Sequence, residues 1–194
     1  MAALILCAAA LLTITPSTHC SAALATSDNA EARTCPSCLP CPEDPSNTIK
    51  KFWSDNEYMW IFYMDPHTTA SCIKERRVGI SESIVALQKS TVRNGAESSQ
   101  FPVKMWTLSQ AGDEMWHIDQ NSNNKHTETL LYRPPQGRCA IIKESNTETE
   151  WYSLLVGGEN PTQSVGNCLD VYKSFSKVPE PQAMYLESCA KSSQ

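Results

Sequence analysis

The segment CAIIKESNTETEWYSLLV, Cys139 to Val156, places a polar, charge-laden turn between two apolar runs. The first run opens with a cysteine and the second with Trp151-Tyr152. Read as two short strands, CAIIKES and EWYSLLVGG, it forms a hairpin. Whether that hairpin is only structural or is one wall of a binding site depends on what surrounds it.

Upstream, EYMWIFYMD is apolar on both alternating faces, Tyr58, Trp60, Phe62 and Met64 against Met59, Ile61 and Tyr63. Such a strand touches two hydrophobic environments, for example an interior and a covering helix. SCIKERRVGIS and SIVALQKSTV alternate more weakly around Gly79 and read as consecutive strands with polar outer faces. FPVKMWTLS and EMWHIDQ are separated by QAGD, a plausible hairpin turn. TETLLYR and CAIIKES are divided by PPQG, where prolines and a glycine halt regular structure. About eight short strands at near-regular spacing indicate an all-β barrel or sandwich.

Two segments have a helical period. PSNTIKKFWS predicts a short helix before the first strand, capped by Asn47 or Ser46, with Ile49, Phe52 and Trp53 on one side. In NPTQSVGNCLDVYKSFS, residues Val165, Cys168, Leu169, Tyr172 and Phe175 recur at helical intervals. This predicts one amphipathic helix packed outside the strands, started by Pro161 and Thr162 and followed by an extended tail, QAMYLESC.

The chain opens with MAALILCAAALLTITPSTHCSAALA, which carries no charged side chain and ends in small residues, as a secretory signal does. Residues 1–25 are therefore expected to be a signal peptide, residues 26–48 a flexible Cys/Pro-rich arm, and residues 49–194 the folded domain. About 170 residues remain after cleavage, enough for one core. No later segment is apolar for long enough to cross a bilayer, so a secreted, extracellular protein without a membrane partner is expected. The net charge of −5 argues against a nucleic-acid partner, and KERR at Lys74 to Arg77 reads as a solvated strand face.

Of nine cysteines, Cys7 and Cys20 lie in the signal, leaving seven. Cys72, Cys139, Cys168 and Cys189 are spread along the domain as long-range staples would be. Cys35, Cys38 and Cys41 crowd into CPSCLPC, which lacks the fourth ligand of a closed zinc site and the strand and helix of a redox motif. A local disulfide plus one thiol able to cross-link two chains is the expectation there.

FWSDNEYMWIFYMD with Cys72 just beyond, CAII opening a strand, WYSLLV in the next, NCLDVYKSF and a terminal YLESC together resemble the tick salivary lipocalins of the histamine-binding family, over roughly Ile49 to Cys189. The resemblance implies an eight-stranded antiparallel lipocalin barrel with a short N-terminal helix and a C-terminal amphipathic helix packed outside. It implies disulfides Cys72–Cys189 and Cys139–Cys168, the first clipping the tail to an early strand and the second tying the hairpin to the helix. It also implies capture of a host mediator in tick saliva, histamine or another biogenic amine, to blunt host defence.

Amine-binding members carry an acidic residue after the first hairpin cysteine and a Glu-Leu-aromatic triplet in the next strand. Here Ala140, Ser153 and Leu155 stand at those places, so that half of the amine signature is absent. Glu128 falls where amine binders place a strand carboxylate facing the cavity. Asp65, Asp113, Glu114 and Asp119 are further carboxylates near strand ends. Carboxylates offset the desolvation of a cation and aromatic faces attract it. The candidate lumen residues are Glu128, Trp60, Phe62, Trp106, Trp116, Tyr132 and Trp151.

An aromatic lumen with few carboxylates would instead suit a lipid mediator such as a leukotriene or fatty acid, its head group held by Lys104, Arg133 or Lys143. A third reading is a protein-binding inhibitor using the barrel exterior. No hydrolase, phosphate-loop or dinucleotide motif is present, and His67, His117 and His126 lack metal-ligand spacing. No enzyme activity, metal or cofactor is expected.

Overall fold

The computed structural model describes residues 48–65, 70–135 and 138–190. The expected signal peptide, the arm up to residue 47, and Cys35, Cys38 and Cys41 lie outside the described residues. The chain runs through α1 (Ile49–Asp55), β1 (Tyr58–Met64), β2 (Ile73–Ile80), β3 (Ile84–Arg93), β4 (Ala96–Gln100), β5 (Lys104–Leu108), β6 (Glu114–Ile118), β7 (Lys125–Tyr132), β8 (Cys139–Ser145) and β9 (Glu150–Val156). Then follow α2 (Pro161–Ser164), α3 (Cys168–Phe175), β10 (Gln182–Ala183) and one 3-10 turn, Glu187–Cys189. No described helix is long and apolar enough to cross a membrane.

Neighbouring strands pair antiparallel in the order β1-β2-β3-β5-β6-β7-β8-β9, and β9 returns to β1 to close an eight-stranded barrel. Closure leaves no free edge among those eight. β4 was not anticipated. It pairs with the second half of β3 while β5 pairs with the first half, so the two act as one strand interrupted at Phe101-Pro102-Val103. Pro102 cannot donate to the ladder, which explains the interruption.

Inward-facing side chains are graded along the barrel axis. From the closed end upward, β3 presents Val85, Leu87 and Lys89, β5 Leu108, Trp106 and Lys104, and β8 Ala140, Ile142 and Glu144. β7 runs the other way and presents Leu130, Glu128 and His126. The apolar end is plugged by α1, whose Ile49, Phe52 and Trp53 are buried in one cluster with Met59, Ile61, Met115, Ala140 and Leu155. The α1 cap is Thr48, not Asn47 or Ser46, and its side chain accepts from the Lys51 amide at 3.1 Å.

The helix after β9 is two helices. Gly166 adopts φ +49°, a left-handed conformation that ends α2 and lets α3 start in a new direction. α3 lies against β8 and β9, held by the Cys139–Cys168 disulfide and by Tyr152 stacking on Phe175 at 6.3 Å. Buried Asp65, at the end of β1, accepts from Ser176 Oγ (2.7 Å), the Tyr152 amide (3.2 Å) and Tyr172 OH (3.3 Å). Burial and that carboxylate hold the Tyr172 phenol well above its ordinary range, so it stays a donor. The other disulfide, Cys72–Cys189, ties the C-terminal segment to the start of β2.

The two bonds close chain separations of 117 and 29 residues. By the chain-entropy argument, C139A/C168A should lose about 3 to 4 kcal/mol and C72A/C189A about 1 kcal/mol more. Urea unfolding of the oxidised variants checks the order, and the reverse order contradicts it.

Candidate ligand-binding site

The polar end of the barrel encloses a cavity of about 200 Å³. Its walls include Lys89, Lys104, Trp106, His117, His126, Glu128, Glu144 and Trp151. A second cavity of about 180 Å³ lies beyond Lys89 and Lys104, which border both, and is lined mainly by Ala70, Ile73, Leu87, Phe101 and Pro102, with Glu75.

Strand register explains how these groups meet. Glu128 stands directly opposite Glu144 on β8 and Met115 on β6. Glu144 stands opposite Trp151 on β9, and Glu75 opposite Lys89, with 3.8 Å between the charged groups. Paired residues share a face, so all these side chains point inward. Ser153 is fully buried and donates to Glu144. A carboxylate thus reaches this wall from β8 rather than β9. Ala140 and Leu155 belong to the closed apolar cluster and do not border this cavity.

Glu75 and Glu128 are 2% and 3% exposed. Burial first, then the carboxylates of Glu75 and Glu144, push the Glu128 carboxyl well above the usual range. Burial also raises Glu75, with Lys89 opposing. Burial by itself would lower the Lys89 ammonium, but the charges of Glu75, Glu144 and Glu128 outweigh it and raise it. His117 stacks on His126 at 4.8 Å, meets the Trp106 ring edge-on at 4.5 Å, and lies 3.3 Å from Lys104 Nζ. Burial, with Lys104 and His126 nearby, lowers His117 to about 4. The Trp106 ring N–H is buried without a hydrogen-bond partner among the described residues, a donor facing no acceptor.

Glu128, Trp106 and Trp151 are therefore brought together. Trp60 and Phe62 are not: both pack outside the barrel on Tyr185 of the C-terminal segment, at 5.1 and 5.6 Å. A bulge between Ile61 and Tyr63 adjusts the β1 register, and Met59, Ile61 and Met64 take the interior. Trp60 instead lines an outer groove of about 750 Å³ with Tyr58, Lys74 and Tyr185. Trp116 also faces outward, with Lys125 Nζ 4.8 Å from its ring. Tyr132 follows a bulge that puts it opposite outward-facing Ile141, away from the cavity.

The remaining carboxylates have other work. Asp65 holds α3, Asp113 accepts from Ser109 Oγ in a turn, Asp119 accepts from the amides of Asn121 and Ser122, and Glu114 pairs with Lys125 on the surface. Of the basic candidates, Lys104 is at the mouth, while Arg133 pairs with Asp55 at 2.6 Å and Lys143 lies 3.9 Å from Glu150. Glu75, Lys89, Glu144, His117 and His126 were not foreseen. The signal was period two: Glu75, Lys89 and Glu144 each lie two residues beyond an inward apolar residue, Ile73, Leu87 and Ile142. Among the described residues, no group of three or more His, Cys, Asp or Glu could hold a metal ion.

Because His117 titrates near 4 in the fold and nearer 6.5 when unfolded, its contribution is whole above 6.5 and lost as pH falls toward 4. Thermal melts of His117→Gln should show a flatter pH dependence across that window than the parent, and parallel curves would contradict the assignment.

No family model matches this chain, and no curated protein matches it. Among solved structures, the crystal structure of an AM182–serotonin complex aligns with a TM-score of 0.56 at 16% identity, covering 74% of this chain and 92% of that one. The closed barrel and this likeness together establish a lipocalin-like fold.

Proposed function

We propose that the chain is a secreted binder that captures a small biogenic amine in the polar end of its barrel and lowers the free concentration of that mediator in the fluid around it. The observation that carries this reading is the meeting of Glu128 and Glu144 with Trp106 and Trp151 around one small cavity. A desolvated ammonium needs carboxylates, and an aromatic ring system needs flat apolar walls. The serotonin held by the structurally similar AM182 barrel supports a ligand of this class. The two disulfides suit an oxidising compartment. Capture is stoichiometric and leaves the ligand unchanged, since affinity and abundance suffice.

The runner-up reading, a lipid mediator, rests on the apolar cavity bordered by Lys89 and Lys104. That volume is small for a long acyl chain, and Glu75 at its wall repels a carboxylate head.

Calorimetric titration of the oxidised protein with histamine, serotonin and leukotriene B4 tests the proposal. Amine binding should quench tryptophan emission and weaken about ten- to a hundredfold in Glu144→Gln, the loss of one charge-assisted hydrogen bond. Ligand recovered from the complex should be unaltered. Leukotriene binding without amine binding would transfer the function to lipid, and silence from all three would point to protein partners.

A further inference from the structure

The interior acids and bases can be counted wall by wall. β2 contributes Glu75, β3 Lys89, β5 Lys104, β6 His117, β7 His126 and Glu128, and β8 Glu144. β9 contributes Trp151 and Ser153, and β1 contributes Met64, none of which titrates here. Three carboxyl groups thus face Lys89 inside and Lys104 at the exposed mouth, and Lys89 is committed to Glu75 at 3.8 Å. Glu144 receives the Ser153 hydroxyl. Glu128 differs from both in its surroundings: it is 3% exposed and it borders the cavity. Its direct cross-strand neighbour is another carboxyl, Glu144. A group so placed cannot carry a second negative charge cheaply until a cation arrives.

Resting on the amine-binding reading, we propose that the lumen exchanges one proton for one positive charge. The Glu128 carboxyl keeps its proton in the empty barrel and releases it to solvent when a ligand's ammonium docks between Glu128 and Glu144. The O–H bond of Glu128 breaks, its electron pair stays on the carboxylate, and the ligand enters already protonated. Charge is conserved within the lumen, so the site selects singly charged amines: a neutral isostere gives no reason for the proton to leave, and a dication brings one charge more than the single proton released. The elevated proton affinity of Glu128 in the empty barrel agrees with this arrangement.

The test is calorimetric titration of the full oxidised chain with serotonin in phosphate and in Tris buffer, whose ionisation heats differ. About one proton should be released per serotonin near pH 7, and affinity should rise by up to about tenfold per pH unit between pH 6 and 8. In Glu128→Gln the released proton and the pH slope should vanish together, while Glu148→Gln, in the exposed turn between β8 and β9, should keep both. Pentylamine should bind at least about tenfold more tightly than doubly charged 1,5-diaminopentane. Serotonin that binds the parent protein with no proton released, a variant at Glu128 that still releases one, or equal affinity for the two alkyl amines overturns the exchange while leaving amine capture standing. Absence of any amine binding overturns both. The parent protein alone reports the proton count, so the test holds even where a variant fails to fold.

Discussion

Three carboxyl groups inside one end of a small barrel repel one another with little water to screen them, and the rest of the interior is arranged around that repulsion. Lys89 offsets Glu75, the Ser153 hydroxyl donates to Glu144, and Glu128 borders the cavity opposite Glu144, with its carboxyl pushed well above the usual range by burial and by its carboxylate neighbours. Replacing these groups by hydrocarbon of similar shape would suit stability as well or better. Their presence in a buried volume, beside two tryptophans, is therefore better understood as preparation for a ligand than as support for the fold.

The support comes from the other end. α1 closes the barrel with Phe52 and Trp53, and the inward rows of β3, β5, β7 and β8 pass from aliphatic to charged within three residues. The solid half gives the strands their register, and register in turn decides which charged side chains meet. The disulfides and the Asp65 cluster fix α3 and the C-terminal segment to the outer face, covering Tyr152 and Phe62, which would otherwise face water. Glu144 brings a carboxylate to the lumen wall from β8, where the buried Ser153 hydroxyl of the neighbouring strand donates to it.

Much of the fold was legible in the sequence. Alternation found the barrel strands, the apolar spacing of Ile49, Phe52 and Trp53 found α1, and the cysteine contexts matched the pairs seen in the barrel. The failures have physical causes. EYMWIFYMD is apolar on both faces, so periodicity could not say that Trp60 and Phe62 look outward, and the bulge near Phe62 breaks alternation where it mattered. Glu75, Lys89 and Glu144 sit in polar runs, KERR, QKS and KES, whose charge imitates a solvated face even though these three side chains line the interior cavities. The single helix expected after β9 is divided because Gly166 adopts a conformation that helical spacing does not reveal.

The most direct measurement is a crystal structure of the oxidised protein with serotonin bound. The account predicts the ammonium nitrogen within hydrogen-bonding distance of both the Glu128 and Glu144 carboxylates, with the indole between Trp106 and Trp151. Serotonin seated in the outer groove beside Trp60, or in the apolar cavity past Lys89 with its ammonium away from Glu128, would contradict it.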